Sequence, residues 1–210
     1  MLFLNNIIKK TRYKIFYVST KKIKYCIFPS NFCDYTQFNS TKSHPHAGLD
    51  RGVFKEDLLG KIRIENSKWD FKPGILFSDL LEYKALLNHY NGKENWKKSK
   101  FAIRNTNYIK LNRIKNRGFN NPKIFLVRRE RQIDKLFQSI IKNGVLETKS
   151  NKDKKLFSDN ISVVLTKDNK LYFNNRGHHR LSIAKILGLK KIPIKITLAK
   201  SIKNLEKFVL

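Results

Sequence analysis

The sequence predicts an α+β fold, a small mixed β-sheet flanked by helices. Three observations carry that expectation. The last third runs helix, strand, strand, helix, strand. Its strand candidates at 161–165, 171–173 and 192–196 are short apolar runs. Each is separated from the next by a turn signal or an amphipathic stretch. The pattern divides the chain into a basic, partly irregular N-terminal segment (1–50), a helical extension (51–124) and a core domain (125–200).

Each element follows from its residues. In the first segment, Lys14 to Val18 reads as a short strand, and Ser19 or Thr20 can cap a helical turn running toward Tyr25. From Pro29 to Gly48 the chain is rich in Ser, Asn, Pro and His and reads as a loop. His44 and His46 within it lack the further ligands that a metal site needs. After the Pro73-Gly74 turn, Leu76, Leu80, Tyr83, Leu87 and Tyr90 fall on one helical face, starting near Ser78 or Asp79 and ending at Asn91-Gly92. His89 is expected at its surface or boundary. A second helix is expected from Trp96 to Leu111, and Asn116 to Pro122 breaks it. Arg129 to Asn143 is amphipathic, with Ile133, Leu136, Phe137, Ile140 and Ile141 inward and Asn143-Gly144 as its end. Glu147 to Asn160 is a polar loop with a Lys-rich run at Lys152, Lys154 and Lys155. Ile161 to Leu165, almost wholly apolar, is expected to be central in the sheet. Asp168-Asn169 turns the chain into Leu171 to Phe173. The next helix runs to about Leu187, where Gly188 ends it, and Ile192 to Ile196 is the final strand.

Composition narrows the partners. Of 210 residues, 45 are basic and 16 acidic, a formal net charge of +29. A Lys-, Asn- and Ile-rich codon bias would enrich Glu as well, so the scarcity of acids marks a real positive field. Such a field attracts polyanions: nucleic acid, nucleotides or an anionic membrane surface. It is spread over nearly every segment, which favours non-specific nucleic-acid affinity. No apolar run approaches the roughly 18 residues of a membrane span. The N-terminus lacks the basic start and continuous apolar core of a signal peptide, so a cytoplasmic location is expected. Cys26 and Cys33 match no zinc spacing and are expected to be reduced thiols.

The chemistry concentrates in Asn174-Asn175-Arg176-Gly177-His178-His179-Arg180, followed by Leu181 to Ala184. A glycine turn between a strand and a helix start, with two histidines and an arginine in the first turn, is a phosphate-binding arrangement. Free backbone N–H groups and the positive end of the helix dipole both favour an anion there. His178 has the ordinary titration range of a general acid or base. Glu130, Asp134 and Glu147 are the acids that could partner it, and the sequence does not choose among them. The expected ligand-binding set is Asn175, Arg176, Gly177, His178, His179 and Arg180, with no metal site.

The order and spacing of Leu136-Phe137-Gln138-Ser139-Ile140, Gly144, Ile161-Ser162-Val163-Val164, Leu171, Gly177-His178-His179-Arg180, Ala184, Leu187-Gly188 and Ile192-Pro193-Ile194-Lys195-Ile196 resemble the ParB/sulfiredoxin superfamily over roughly residues 130–198. Trp69-Asp70, the Tyr/Leu helix and Trp96 are similar to an extension of ParB-like proteins from microbes and phages. The resemblance implies a site for ATP, ADP or CTP, with or without Mg2+, phosphates resting on the turn, and phosphotransfer or nucleotide hydrolysis as the accompanying reaction. By that resemblance Arg180 contacts a phosphate, His179 donates to a phosphate oxygen and Gly177 lets the backbone approach closely. The departures are informative. His178 stands where sulfiredoxins carry their reactive Cys. The Glu-Arg-Arg of the CTP-dependent DNA clamps is here His-His-Arg. About one turn of helix is expected between the last strand and Leu210, which leaves no room for the clamps' helix-turn-helix domain. The Gly-His-His-Arg form is similar to ParB-like free-serine kinases, whose preceding Asp is Arg176 in this chain. The alternative expectation is a non-enzymatic nucleic-acid-binding module using its charge.

Overall fold

The computed structural model describes residues 14–27, 62–64, 76–112, 119–146, 160–174 and 176–209. Its strands are β1 (Phe16–Val18), β2 (Ile23–Cys26), β3 (Arg63–Ile64), β4 (Ile161–Leu165), β5 (Leu171–Phe173) and β6 (Ile192–Ala199). The helices are α1 (Leu81–Tyr90), α2 (Lys100–Asn112), α3 (Pro122–Asn143), α4 (His178–Ile186) and α5 (Ile202–Val209). The fold is α+β. One mixed sheet runs in the order β1-β6-β4-β5-β2, and β3 pairs with the far end of β6.

The expected centrality of β4 holds: it lies between a parallel neighbour, β6, and an antiparallel one, β5. All five of its residues are buried. Ile161, Val163 and Leu165 face the main core, and Val164 packs on the other side with Ile27, Tyr172 and Leu198. A nearly all-apolar run, with the Ser162 hydroxyl hydrogen-bonded, is therefore what a strand covered on both faces requires. The turn after β4 places Asn169 at φ 59°, a conformation that Asn tolerates.

The N-terminal segment differs most from expectation. It supplies β1, antiparallel to β6, and β2, parallel to β5. Ser19 does cap a turn, accepting from the Lys21 N–H, but this 3-10 turn spans only Thr20–Lys22. Tyr25 belongs to the strand that follows. Cys26, in that strand, is fully buried, and loss of solvation pushes its thiol well above the usual range, which makes it unreactive. Cys33, the loop at 44–46 and the Lys-rich run at 152–155 lie outside the described residues.

Helix α3 begins about two turns before the expected Arg129. Asn121 accepts from the Lys123 and Ile124 N–H groups, and Pro122 occupies the first helical position. That Asn-Pro pair is a start signal rather than a break. Phe125, Ile133 and Ile140 are buried on α3, whereas Ile141 is 54% exposed instead of inward. The second helix, by contrast, starts late. Residues 96–98 form a 3-10 turn, and α2 begins after Ser99, whose hydroxyl accepts from the Ala102 N–H.

Helix α4 is the pivot of the packing. Leu181 and Ala184 join the sheet-side core, and Ile183 joins the cluster between α1, α2 and α3. Gly188 ends it at φ 65°, as expected. No helix among the described residues is long and apolar enough to cross a membrane.

Candidate functional site

The turn before α4 is fastened to β4 by one residue. The Ser162 amide donates to the Arg176 carbonyl at 3.1 Å, its carbonyl accepts from the Asn174 amide at 2.9 Å, and its hydroxyl accepts from the Arg176 amide at 2.9 Å. Asn174, fully buried, donates through Nδ2 to Thr197 Oγ1 at 2.9 Å, tying the turn to β6 as well. Gly177 then adopts φ 81°, ψ 21° and its carbonyl accepts the first helical bond from Leu181. An ideal Cβ on Gly177 would lie 2.7 Å from the Ile161 Cα, so both the left-handed conformation and the close approach need glycine.

Both imidazoles at the start of α4 turn toward α1. His178 Nε2 lies 2.7 Å from Glu82 Oε2, and His179 Nδ1 contacts Glu82 Oε1. The two rings stand 4.4 Å apart, centroid to centroid. Glu82 is only 4% exposed and His178 8%. Two oxygens of one buried carboxylate thus serve two neighbouring histidines. Arg129 of α3 contacts the other nitrogen, Nε2, of His179. A guanidinium only donates, so that Nε2 presents its lone pair and the ring proton sits on Nδ1, against Glu82. The carboxylate likewise accepts, so His178 carries its proton on Nε2. Three helices meet here, with the groups in the order Arg129–His179–Glu82–His178. The N-terminal end of the α4 dipole adds to the stabilisation of the buried carboxylate.

Among the described residues the acid facing His178 is Glu82, not Glu130 or Asp134. Glu130 pairs with Lys97 at 2.7 Å. Asp134 accepts from the Tyr90 hydroxyl at 3.1 Å and lies 3.4 Å from His89 Nε2. Burial and Asp134 together raise the Tyr90 phenol far above its usual range. His89 is half-buried, within the expected surface or boundary placement, and its Nδ1 accepts from the Trp96 amide. Glu147 lies outside the described residues, as does Asn175. Of the remaining predicted site residues, Gly177, His178, His179 and Arg180 share the turn and the first turn of α4, and Arg176 is exposed beside them.

Glu82 and Arg129 are the site residues that the sequence reading missed. The expected face of α1 was Leu76, Leu80, Tyr83, Leu87 and Tyr90. The buried residues of this helix are instead Glu82, Ala85 and Leu86, while Leu76 is exposed ahead of a 3-10 turn at Phe77–Asp79. An acid three and four residues before Ala85 and Leu86 was the available signal. Arg129 looked like the first residue of a helix and is in fact two turns inside one.

Among the described residues, Glu82, His178 and His179 form a group whose potential ligand atoms lie within 4.8 Å of one another, the spacing a metal ion needs. With Arg129 donating to His179 Nε2, a cation at Nδ1 would have to displace the ring proton and leave the ring without one on either nitrogen. Metal binding at this group would therefore be coupled to release of a proton. Comparison with family models, curated proteins and solved structures returned no match for this chain.

Proposed function

We propose that this chain is a ParB/sulfiredoxin-like nucleotide- or phosphate-binding domain that carries out phosphotransfer or nucleotide hydrolysis. The phosphate rests on the turn from Gly177 to Arg180, and Glu82 is the general base. The observation that carries this reading is the buried Glu82 carboxylate held between the imidazoles of His178 and His179 at the start of α4. A phosphoryl group at that helix start would meet backbone N–H groups and Arg180. An attacking hydroxyl or water beside it would give its proton to the Glu82 carboxylate. Arg129 keeps His179 in the tautomer that faces Glu82.

Calorimetric titration with ATP, ADP and CTP, with and without magnesium, tests the reading. At least one of them should bind. Arg180→Ala should weaken that binding by about tenfold or more, the scale of a charge-assisted contact worth about 1.5–3 kcal/mol. Absence of binding by all three would overturn it.

A second reading, a nucleic-acid-binding module, is favoured by the net charge of +29. In a salt series, affinity for a mixed-sequence duplex should fall linearly in log–log form. A steep slope with no sequence preference and no response to Arg180→Ala marks charge alone. Sequence preference that persists at high salt would mark true readout.

A further inference from the structure

A well-formed cavity of the described structure lies away from the Gly177 turn. It lies at the other end of α4, has a volume of about 610 Å3, and is walled by four lysines, Lys21, Lys24, Lys185 and Lys190. They converge from different parts of the chain: the Thr20–Lys22 turn, β2, α4 and the loop after it. Ser19, Ser78 and Tyr83 bring hydroxyl groups to the same wall, and no acidic side chain among the described residues lines it. The volume falls within the range of small-molecule sites.

Lys185 is built into the wall rather than waving from it. Its Nζ donates to the Thr20 carbonyl at 2.8 Å and lies 5.6 Å from the centre of the Phe77 ring. Burial favours its neutral form, so a nearby anion would relieve a cost the folded chain already carries. Phe77 and Tyr83 meet edge to face at 5.8 Å and give the cavity an aromatic side. Position matters too. Lys185 is seven residues beyond His178 on α4, the same face about 10 Å along the axis. Tyr83 adjoins Glu82 on α1. The cavity therefore opens beside the Glu82–histidine cluster but shares none of its residues.

We propose that this cavity binds a small phosphorylated molecule, its phosphate held by Lys21, Lys24, Lys185 and Lys190 and its uncharged part resting against Phe77 and Tyr83. The proposal stands independently of the Gly177 turn. The probes are inorganic pyrophosphate and adenosine monophosphate, titrated calorimetrically into the full chain at low salt. Both should bind. The combined variant Lys21→Gln, Lys24→Gln and Lys190→Gln changes a half-open rim at exposed positions. It should weaken both probes by about tenfold or more. The charge-matched control, Lys100→Gln, Lys110→Gln and Lys123→Gln, removes three exposed lysines that line no part of the cavity and should leave affinity within about twofold. Equal losses in both triple variants, or no loss in the cavity variant, would overturn the proposal. So would failure of both probes to bind the wild-type chain. Loss of all binding in Arg180→Ala alone would also overturn it, while supporting the turn as the phosphate site.

Discussion

Glu82→Ala is expected to destabilise the protein by about 3–5 kcal/mol, because it strips a buried cluster of its carboxylate and leaves its charged and polar partners behind. The lost groups are specific: His178 Nε2 and the Nδ1 of His179 both face the Glu82 oxygens. Behind them Arg129 would keep its charge against an imidazole no longer backed by an anion. Urea unfolding followed by circular dichroism measures the loss directly. Glu82→Gln separates structure from chemistry. It keeps the shape and one acceptor oxygen, so its stability cost should be smaller, about 1–3 kcal/mol. A glutamine cannot take a proton, so any phosphate release from a bound nucleotide should fall by about 100- to 10,000-fold while binding persists. Unchanged turnover in Glu82→Gln would remove Glu82 from the role of base.

Gly177→Ala should cost about 2–5 kcal/mol, from about 1–2 for a β-carbon in the left-handed region and about 1–3 for overpacking. The second contribution has an address: the new Cβ would lie 2.7 Å from Ile161 Cα and 2.9 Å from its Cγ1, at the first residue of the central strand. Gly188→Ala is the matched control. Its φ is 65°, but nothing lies within 4 Å of the added carbon, so only the conformational cost of about 1–2 kcal/mol should appear. The difference between the two unfolding midpoints isolates the contact with β4. Equal shifts would show that β4 yields to the turn.

What could be read from the sequence was local. Ile161 to Leu165 announces its own burial, because four of its five residues are apolar and no polar face alternates through it. Gly188 announces the end of its helix, because the chain must reverse into the last strand. Both rest on short-range rules. The partner of the histidines did not, since Glu82 lies 96 positions before His178 and became visible only when α1 was seen against α4. The periodic face read from Leu76 to Tyr90 was pulled off register by Leu76, which belongs to a bridge with Tyr25 and not to a helix. A buried acid does not register in a search for apolar spacing, so the residue that matters most to the site was the one the pattern discarded. The N-terminal strands were obscured for a related reason. Three or four residues each are too few to show alternation, and their pairing is set by strands more than a hundred positions away.

That long-range pairing has a consequence for how the protein is made. β1 is held by β6, with Phe16 opposite Ile194, so the first strand of the described residues is joined to the last. At about 5–20 residues per second, the ribosome takes roughly 10–35 s to supply the intervening chain. During that interval the early strand has no partner. The sheet is completed only after β6 emerges, and pairing of such high contact order slows folding.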